Sequence, residues 1–473
     1  MPFDEFRRHG HDVVDWIAEY LQRVDSYPVL PLVAPGDIRR GLKGSVTEEG
    51  ESFQQLLEDF DRKILPGITH WNHPGFFAYF PTTASGPAIL AEMLSAAVNV
   101  NAMVWKSSPA GTELEQHTLD LLRRLVGLPS EIFGTINDTA SSSSLYALAA
   151  ARENALPAAR EDGLFGVSPG RIYASEESHS SIDKAAITLG FGLTGVRRIE
   201  TDDEFRMDPA ALRSAIEDDV ARGVCPVAVV ATLGTTSTSS VDPVDALADI
   251  AAEYDAWLHV DAAYAGPAAI VPELRYHFLG WERADSIVIN PHKWLFTPID
   301  CSVLYCRRPE QLRKAFSHTP EYLMTKEDGG ATNLMDYGVA LGRRLRALKL
   351  WFVLRYFGNE GLSERLREHC RLAAGFASQV ESEVGWQVLA PVPFSTVVFR
   401  FCPADGDGGA ADTVDRINLA ILDRVNKTGE VFLSHTRLND RVALRLSVAN
   451  LRTTEVHVGR AWELLREAAR ADF

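Results

Sequence analysis

The chain has 473 residues, 46% of them hydrophobic, with 64 acidic against 47 basic side chains and a formal net charge of −17. That length can bury a sizeable core in two or three domains, and the acidic balance excludes a nucleic-acid binder, which needs a basic face. No run of about 18 apolar residues occurs, so no bilayer-spanning helix is expected.

The N-terminus, "MPFDEFRRHGHDVVDW", mixes charges of both signs and lacks an apolar core, so it does not read as a secretory signal. Residues 3 to 24 instead predict an amphipathic helix with Val13, Ile17, Tyr20, Leu21 and Val24 on one stripe. A Pro-rich passage, "YPVLPLVAPG", leads to a second helix from Ser52 to about Leu65, where Ser52 and Gln55 have capping-box spacing and Pro66-Gly67 stops it. Little sheet lies nearby in sequence, so residues 1–85 read as an arm that docks elsewhere, on a second subunit. From about residue 110 to 310 strands alternate with helices: "RIYAS" (171–175), "VRRIE" (196–200), "VAVVATL" (227–233), "WLHVDA" (257–262), "SIVIN" (286–290) and "SVLYC" (302–306). Short β-rich runs separated by helices imply an α/β domain with a mainly parallel sheet covered on both faces. A long helix from Val339 to Tyr356 then precedes helix, two strands, helix, two strands and helix, a small α+β domain. The expected division is 1–85, 86–358 and 359–473. Five scattered cysteines, Cys225, Cys301, Cys306, Cys370 and Cys402, are odd in number and suit a reducing cytoplasm. Cys301 and Cys306 bracket "CSVLYC", where a separation of five sends them to opposite faces of a strand, so they read as buried thiols.

Three motif matches fail on context. "GFGLTG" (190–195) has the form G-x-G-x-x-G, but a helix precedes it and a strand follows, the reverse of a dinucleotide fingerprint. "GVSPG" (166–170) has the form of a nucleophile elbow, but it leads into a strand. "HWNH" (70–73) offers two histidines with no further ligand in view, so no metal is expected.

Strand ends carry the remaining signals, since ligands in open α/β sheets bind beyond the carboxyl ends of the strands. Thr235 and Thr236 end "VAVVATLGTT", Asp261 ends "LHVD", and Lys293 follows "SIVINPH". Upstream, Thr139, Ala140 and Ser141 open a helix whose small residues suit a phosphate cradle. A lysine that attacks a carbonyl must be neutral, and at an ordinary pKa of about 10.4 only about one in 2,500 is neutral at pH 7. The apolar runs flanking Lys293, "IVIN" and "WLF", penalise its charge. An aspartate inside "LHVDAAY" is costly to bury unpaired, and the ring nitrogen of pyridoxal phosphate is a partner that would explain it. Lysine, aspartate and helix N-terminus together make a complete set for that cofactor.

These residues lie within longer matches: "HPGFFAYFPT" (73–82), "WKSSPAGTELE" (105–115), "DTAS" (138–141), "SHSSIDKA" (178–185), "ATLGTT" (231–236), "LHVDAAYAG" (258–266), "NPHKW" (290–294) and "LGRRLRALKLWFV" (341–353). Across nearly the whole chain the sequence resembles the pyridoxal-phosphate-dependent group II amino-acid decarboxylases, aromatic L-amino-acid decarboxylases most closely. The resemblance implies a fold-type I architecture, like that of aspartate aminotransferase, with a seven-stranded sheet. It also implies a cytoplasmic homodimer with active sites at the subunit interface. By similarity Lys293 binds the cofactor covalently, Asp261 pairs with its ring nitrogen, His179 stacks on one ring face and Ala263 packs the other. Thr236 lies near cofactor and substrate, and Ala140, Ser141, Asn290 and His292 hold the phosphate. Tyr322, in the polar loop "HTPEYLMTKEDGG" (318–330), matches the residue that reprotonates Cα, where related aldehyde synthases carry phenylalanine.

The resemblance places the substrate's ring among Trp71, Tyr79, Phe80, Pro81 and Thr82, with His179 and Thr236 close by. Asn101 and Met103, lent by the partner subunit, depart from the apolar residues of the animal enzymes, and a more polar wall suits a hydroxylated substrate. Gly342 matches a position where glycine accompanies the bulkier indole. The expected reaction is decarboxylation of an aromatic L-amino acid such as DOPA, tyrosine, tryptophan or 5-hydroxytryptophan. The alternatives are a non-aromatic acid (glutamate or histidine), aldehyde formation, or a catalytically silent binding protein. No arginine stands at the matched pocket positions to receive a distal carboxylate.

Overall fold

Seven of the β-rich segments form one sheet in the computed structural model, which describes residues 1–42, 48–318, 330–403 and 411–470. They are β1 (Phe133–Asn137), β2 (Gly170–Ser175), β3 (Val196–Ile199), β4 (Cys225–Thr232), β5 (Trp257–Asp261), β6 (Ser286–Ile289) and β7 (Ser302–Cys306). Their order across the sheet is β1-β7-β6-β5-β4-β2-β3. All neighbours are parallel except β7, which runs antiparallel to both β6 and β1. Two reversals restore the direction of β1, so the carboxyl ends of β1, β2, β4, β5 and β6 share one edge.

Both faces are covered, as a parallel sheet requires. Val229, Ala231, Leu258, Val260, Ile287 and Ile289 pack into one core cluster, with the helices Pro109–Val126, Pro209–Ala221 and Val244–Glu253. Ala228, Val230, Trp257 and Leu304 pack into another, under the helices Ala140–Ala155, Ser181–Thr188 and Pro309–Phe316. Cys301 belongs to the first cluster and Cys306 to the second, so the two buried thiols do sit on opposite faces.

A second sheet has the order β10-β11-β9-β8, antiparallel throughout, from β8 (Trp386–Val388), β9 (Thr396–Phe401), β10 (Ser434–Leu438) and β11 (Arg441–Ser447). The helices Ala411–Lys427 and Glu455–Arg470 and the far half of Ala347–Ser382 accompany it around a separate core that includes Phe376, Phe399 and Trp462. The long helix begins at Ala347 rather than at Val339. The preceding residues are held in another way, with Arg343 paired to buried Glu115 at 2.8 Å and its backbone bonded to Asn101 and Ala102. Gly358, at φ 62°, breaks the long helix inside its span.

Two further expectations changed in detail. β1 does not stand out in the sequence because "FGTIN" is short and interrupted by glycine; pairing with β7 stabilises it as a strand. The second arm helix is regular only over Phe53–Asp59, then widens into a π turn over Phe60–Ile64. Ser52 caps it by accepting from the Gln55 N–H at 3.2 Å, while the Gln55 amide turns to Asp59, so half of the capping box forms. The first helix, Phe3–Gln22, lies against this segment through Trp16, whose Nε1 donates to Asp61 at 2.8 Å. "GFGLTG" is a helix stop and turn before β3, and "GVSPG" runs into β2. In "HWNH", His70 Nδ1 lies 2.9 Å from the Tyr20 hydroxyl and His73 Nδ1 accepts from the Gly75 N–H at 2.9 Å. Among the described residues no helix is long and apolar enough to cross a membrane.

Candidate active site

A cavity of about 190 Å³ opens at the shared carboxyl edge of the sheet. Register places Asp261 of β5 opposite Thr232 of β4 and Val288 of β6, so one step past these strands the chain can surround a small ligand. Ala140, Ser141, Asn290 and His292 line one part of the cavity, and Asp261, Ala263, Thr236, His179 and Lys293 line the rest. Thr235 is separated from Thr236: it is fully buried, and its hydroxyl bonds Thr238 at 2.7 Å and the Ser240 N–H at 2.9 Å.

Each of these groups is prepared electrostatically. Thr139 precedes the helix Ala140–Ala155 without capping it by its side chain, which leaves the first-turn N–H groups open to an anion. Asn290, just before the short helix Pro291–Trp294, has a buried side-chain oxygen with no partner, as has the Thr232 hydroxyl. His292 Nδ1 accepts from the Cys301 N–H at 3.0 Å, and burial pushes its pKa down to about 4. The ring is therefore neutral with its proton on Nε2, a donor that carries no charge. His179 Nδ1 accepts from the Ser181 N–H at 3.1 Å, which likewise leaves the Nε2 proton free. Its pKa is lowered, first by the surrounding protein and then by Lys293, with Asp261 opposing. Asp261 Oδ1 accepts from the Ala263 N–H at 3.0 Å.

Lys293 is partly accessible through the cavity and otherwise enclosed by protein. Burial lowers its pKa, the nearby Arg445 acts in the same direction, and Asp261 works against both. Its ammonium stands 5.1 Å from the centroid of the Phe80 ring, and the Arg445 guanidinium stands 4.5 Å from the same ring. Phe80 is braced from behind by Tyr264 (centroids 3.9 Å apart, 15° between planes), which in turn stacks on Trp294 at 4.9 Å.

Sequence reading missed several of these groups. Thr232, Gly234 and Tyr264 line the cavity, as does Thr139 ahead of the expected cradle helix. Arg445 of β11 arrives from the second sheet, 3% exposed, with Nη1 donating to the Tyr79 carbonyl but Nε and Nη2 unpartnered. A charged residue in a strand of otherwise apolar alternation, "RVALRLS", was the available signal. Arg445 is not among the residues lining the cavity; it reaches the Phe80 ring beside it from 366 residues beyond Tyr79.

The expected substrate residues divide. Phe80 lines the cavity, whereas Trp71 lies outside it, stacked on Phe76 at 4.3 Å and facing Tyr79 at 6.0 Å. Pro81 is buried and Thr82 half-buried beside them, also outside the lining. Asn101 and Met103 are remote from this cavity; Asn101 Oδ1 accepts from the Arg343 N–H at 2.9 Å, and its amide is the nearest group to Gly342. Tyr322 lies outside the described residues.

The sequence model of the pyridoxal-dependent decarboxylase conserved domain matches residues 35–402. The chain belongs to that family. This decarboxylase is 38% identical over 480 residues to Tryptophan decarboxylase 1 of Oryza sativa subsp. japonica, covering 98% of this chain and 93% of the relative. It is 40% identical over 481 residues to Tyrosine decarboxylase 4 of Petroselinum crispum, covering 99% and 94%. It also superposes on a crystal structure of Oryza sativa TDC with PLP and tryptamine, with a TM-score of 0.96 at 38% identity and coverage of 100% and 99%. The cofactor of the family fits the cavity on its own chemistry. An uncapped helix N-terminus and the neutral His292 donor suit a phosphate group, and the Asn290 side-chain NH2 in the same cavity is a further donor for it. Lys293 and Asp261, in the same cavity, suit an aldehyde and a protonated ring nitrogen.

Proposed function

We propose that this decarboxylase converts an aromatic L-amino acid to the corresponding amine and carbon dioxide. The observation that carries the reading is the single cavity in which Lys293, Asp261, His179 and the helix N-terminus meet. Relatives at 38–40% identity over the whole chain that bear the names tryptophan and tyrosine decarboxylase support the aromatic class.

Pyridoxal phosphate, when bound, supplies a conjugated ring that accepts the electron pair left behind by carbon dioxide. The residues of this chain do the rest. The N–H groups at Ala140 and Ser141, with Asn290 and the Nε2–H of His292, would hold the phosphate. Asp261 would keep a proton on the ring nitrogen, and Thr236 would sit beside cofactor and substrate. Lys293, with its charge disfavoured by burial, supplies a nucleophilic amine. His179 and Ala263 would bound the two ring faces, the small alanine leaving room for close approach. Arg445, buried against the Phe80 ring, would add a positive charge beside the cavity. Tyr322 takes, by resemblance alone, the return of a proton to Cα after carbon dioxide has left. Phe80 would form the aromatic wall of the substrate pocket on this chain, with Trp71, Tyr79, Pro81 and Thr82 outside the cavity lining.

The active form is a homodimer of three-part subunits (1–85, 86–358 and 359–473), in which Asn101 and Met103 reach the partner's site. Supporting this are apolar side chains left bare on one chain: Phe3 (90% exposed), Phe6 (65%), Leu94 (51%) and Val98 (58%). Five free cysteines suit a cytoplasmic location.

The test is an amine-release panel over DOPA, tyrosine, phenylalanine, tryptophan, 5-hydroxytryptophan, histidine and glutamate. Turnover confined to the aromatic acids is expected. Preferential glutamate turnover would replace the aromatic assignment with a diacid substrate. Aldehyde in place of amine would identify an aldehyde synthase, and no turnover of any acid a silent protein.

A further inference from the structure

The serine run in "TASSSSLYALAAAR" exceeds what a phosphate cradle needs, because only Ser141 of the four lines the cavity. Ser143 and Ser144 are fully buried, in a helix interior where serine is a poor choice unless its hydroxyl is used. Both hydroxyls are used. Ser143 Oγ accepts from Asn137 Nδ2 at 3.1 Å and lies 2.9 Å from Ser302 Oγ of β7. Ser144 Oγ lies 3.1 Å from Nε2 of His259, in β5. The other nitrogen of that imidazole, Nδ1, lies 2.9 Å from Ser286 Oγ of β6, which also accepts from Trp257 Nε1 at 2.7 Å.

His259 is fully buried, and burial holds its pKa at about 4. A neutral imidazole has one donor and one acceptor nitrogen, and a serine hydroxyl complements either. Period-2 alternation places His259 on the same sheet face as Asp261, under the helix Ala140–Ala155. The apolar contacts between that helix and the sheet are made largely by small side chains such as Ala147, Ala151 and Ala228. Such contacts are non-directional and tolerate sliding, whereas hydrogen bonds fix a register.

We propose that His259 is a positioning residue for the cofactor site: by bonding Ser144 and Ser286 together, it fixes the helix that opens at Ala140 against the strand carrying Asp261 and the strand leading to Lys293. The phosphate-binding end, the acid and the lysine thereby keep one spacing. The proposal rests on reading the cavity as the pyridoxal-phosphate site.

The experiment titrates cofactor-free, full-length protein with pyridoxal phosphate and follows its absorbance, for wild type, Ser144→Ala, His259→Leu and His259→Gln. Melting of each cofactor-free protein is recorded alongside. Ser144→Ala and His259→Leu should each raise the cofactor dissociation constant about tenfold, the size of one lost buried hydrogen bond. His259→Gln, which keeps a donor and an acceptor, should return it to within about threefold of wild type. Dissociation constants within about twofold of wild type for both disrupting variants overturn the proposal, as does a glutamine variant no better than leucine. If His259→Leu does not fold, Ser144→Ala, which deletes one oxygen, decides alone. Wild-type protein that takes up no pyridoxal phosphate overturns the underlying cofactor reading instead, before any substitution is compared.

Discussion

Lys293 and Arg445 share one aromatic ring, and the consequence is a lysine whose ammonium is disfavoured twice over, by burial and by a like charge. Competitive acylation of the cofactor-free protein, read at Lys293 by mass spectrometry, should reach half-maximal reactivity at lower pH than a free lysine does. Arg445→Gln removes the like charge and should move that midpoint up; Asp261→Asn removes the opposing carboxylate and should move it down. An unmoved midpoint in both would show that burial alone sets the lysine. The linkage has a definite sign. The folded-state pKa of Lys293 lies below the unfolded value of about 10.4, so the unfolded chain holds that proton more tightly. Lys293 therefore costs the cofactor-free protein stability below its lowered pKa, and the cost disappears as pH rises toward the unfolded value. Tyr322→Phe tests the reprotonation assignment separately: in air, product should shift from amine to aldehyde, with dioxygen as the oxidant and ammonia and hydrogen peroxide released alongside, and unchanged amine output would remove Tyr322 from the mechanism.

The strand ends do the positioning at the level of elements. "SIVI" and "WLHVD" are buried along their whole length, so their near-continuous apolar character is visible in the sequence and correctly announces central strands. β1 is too short and glycine-interrupted to announce itself, yet it leads to Thr139 and the helix opening at Ala140 that line the cavity, and pairing with β7 holds it as a strand. Gly234 is the turn that the sequence stretch "ATLGTT" turns on. Its φ is 85°, and an added Cβ would stand 2.8 Å from the Ala265 Cβ. Gly234→Ala should therefore destabilise the protein by about 1–3 kcal/mol in denaturant unfolding, through backbone strain and that clash. A change within about 0.5 kcal/mol, the usual span of neutral surface substitutions, would mean that the turn adapts.

Across the whole molecule, two cores meet at the cavity, since Phe80 belongs to the core of the large sheet and Arg445 comes from the small one. Tyr264 joins them, its hydroxyl 2.6 Å from Ser395 Oγ and its ring against Phe80. The arm and the helix Gly86–Val98 carry exposed apolar side chains, the surface that the proposed dimer would cover. In the proposed dimer, Leu90→Glu with Leu94→Glu should yield a monomer by light scattering and lose most decarboxylation, because the Asn101–Met103 wall would be missing from each site. A double variant that remains dimeric would place the interface elsewhere.

Local chemistry was legible in the sequence. An apolar frame around Lys293, an aspartate in a buried strand and small residues opening a helix are written in adjacent positions, because burial and helix polarity act over a few residues. The tertiary structure alone decided what those groups meet. Phe80 became the brace between two cations, Arg445 crossed from another sheet to the same ring, and Ser144 and His259 found each other 115 residues apart. Such contacts depend on which strands lie side by side and which faces the helices cover, and no spacing along the chain encodes them.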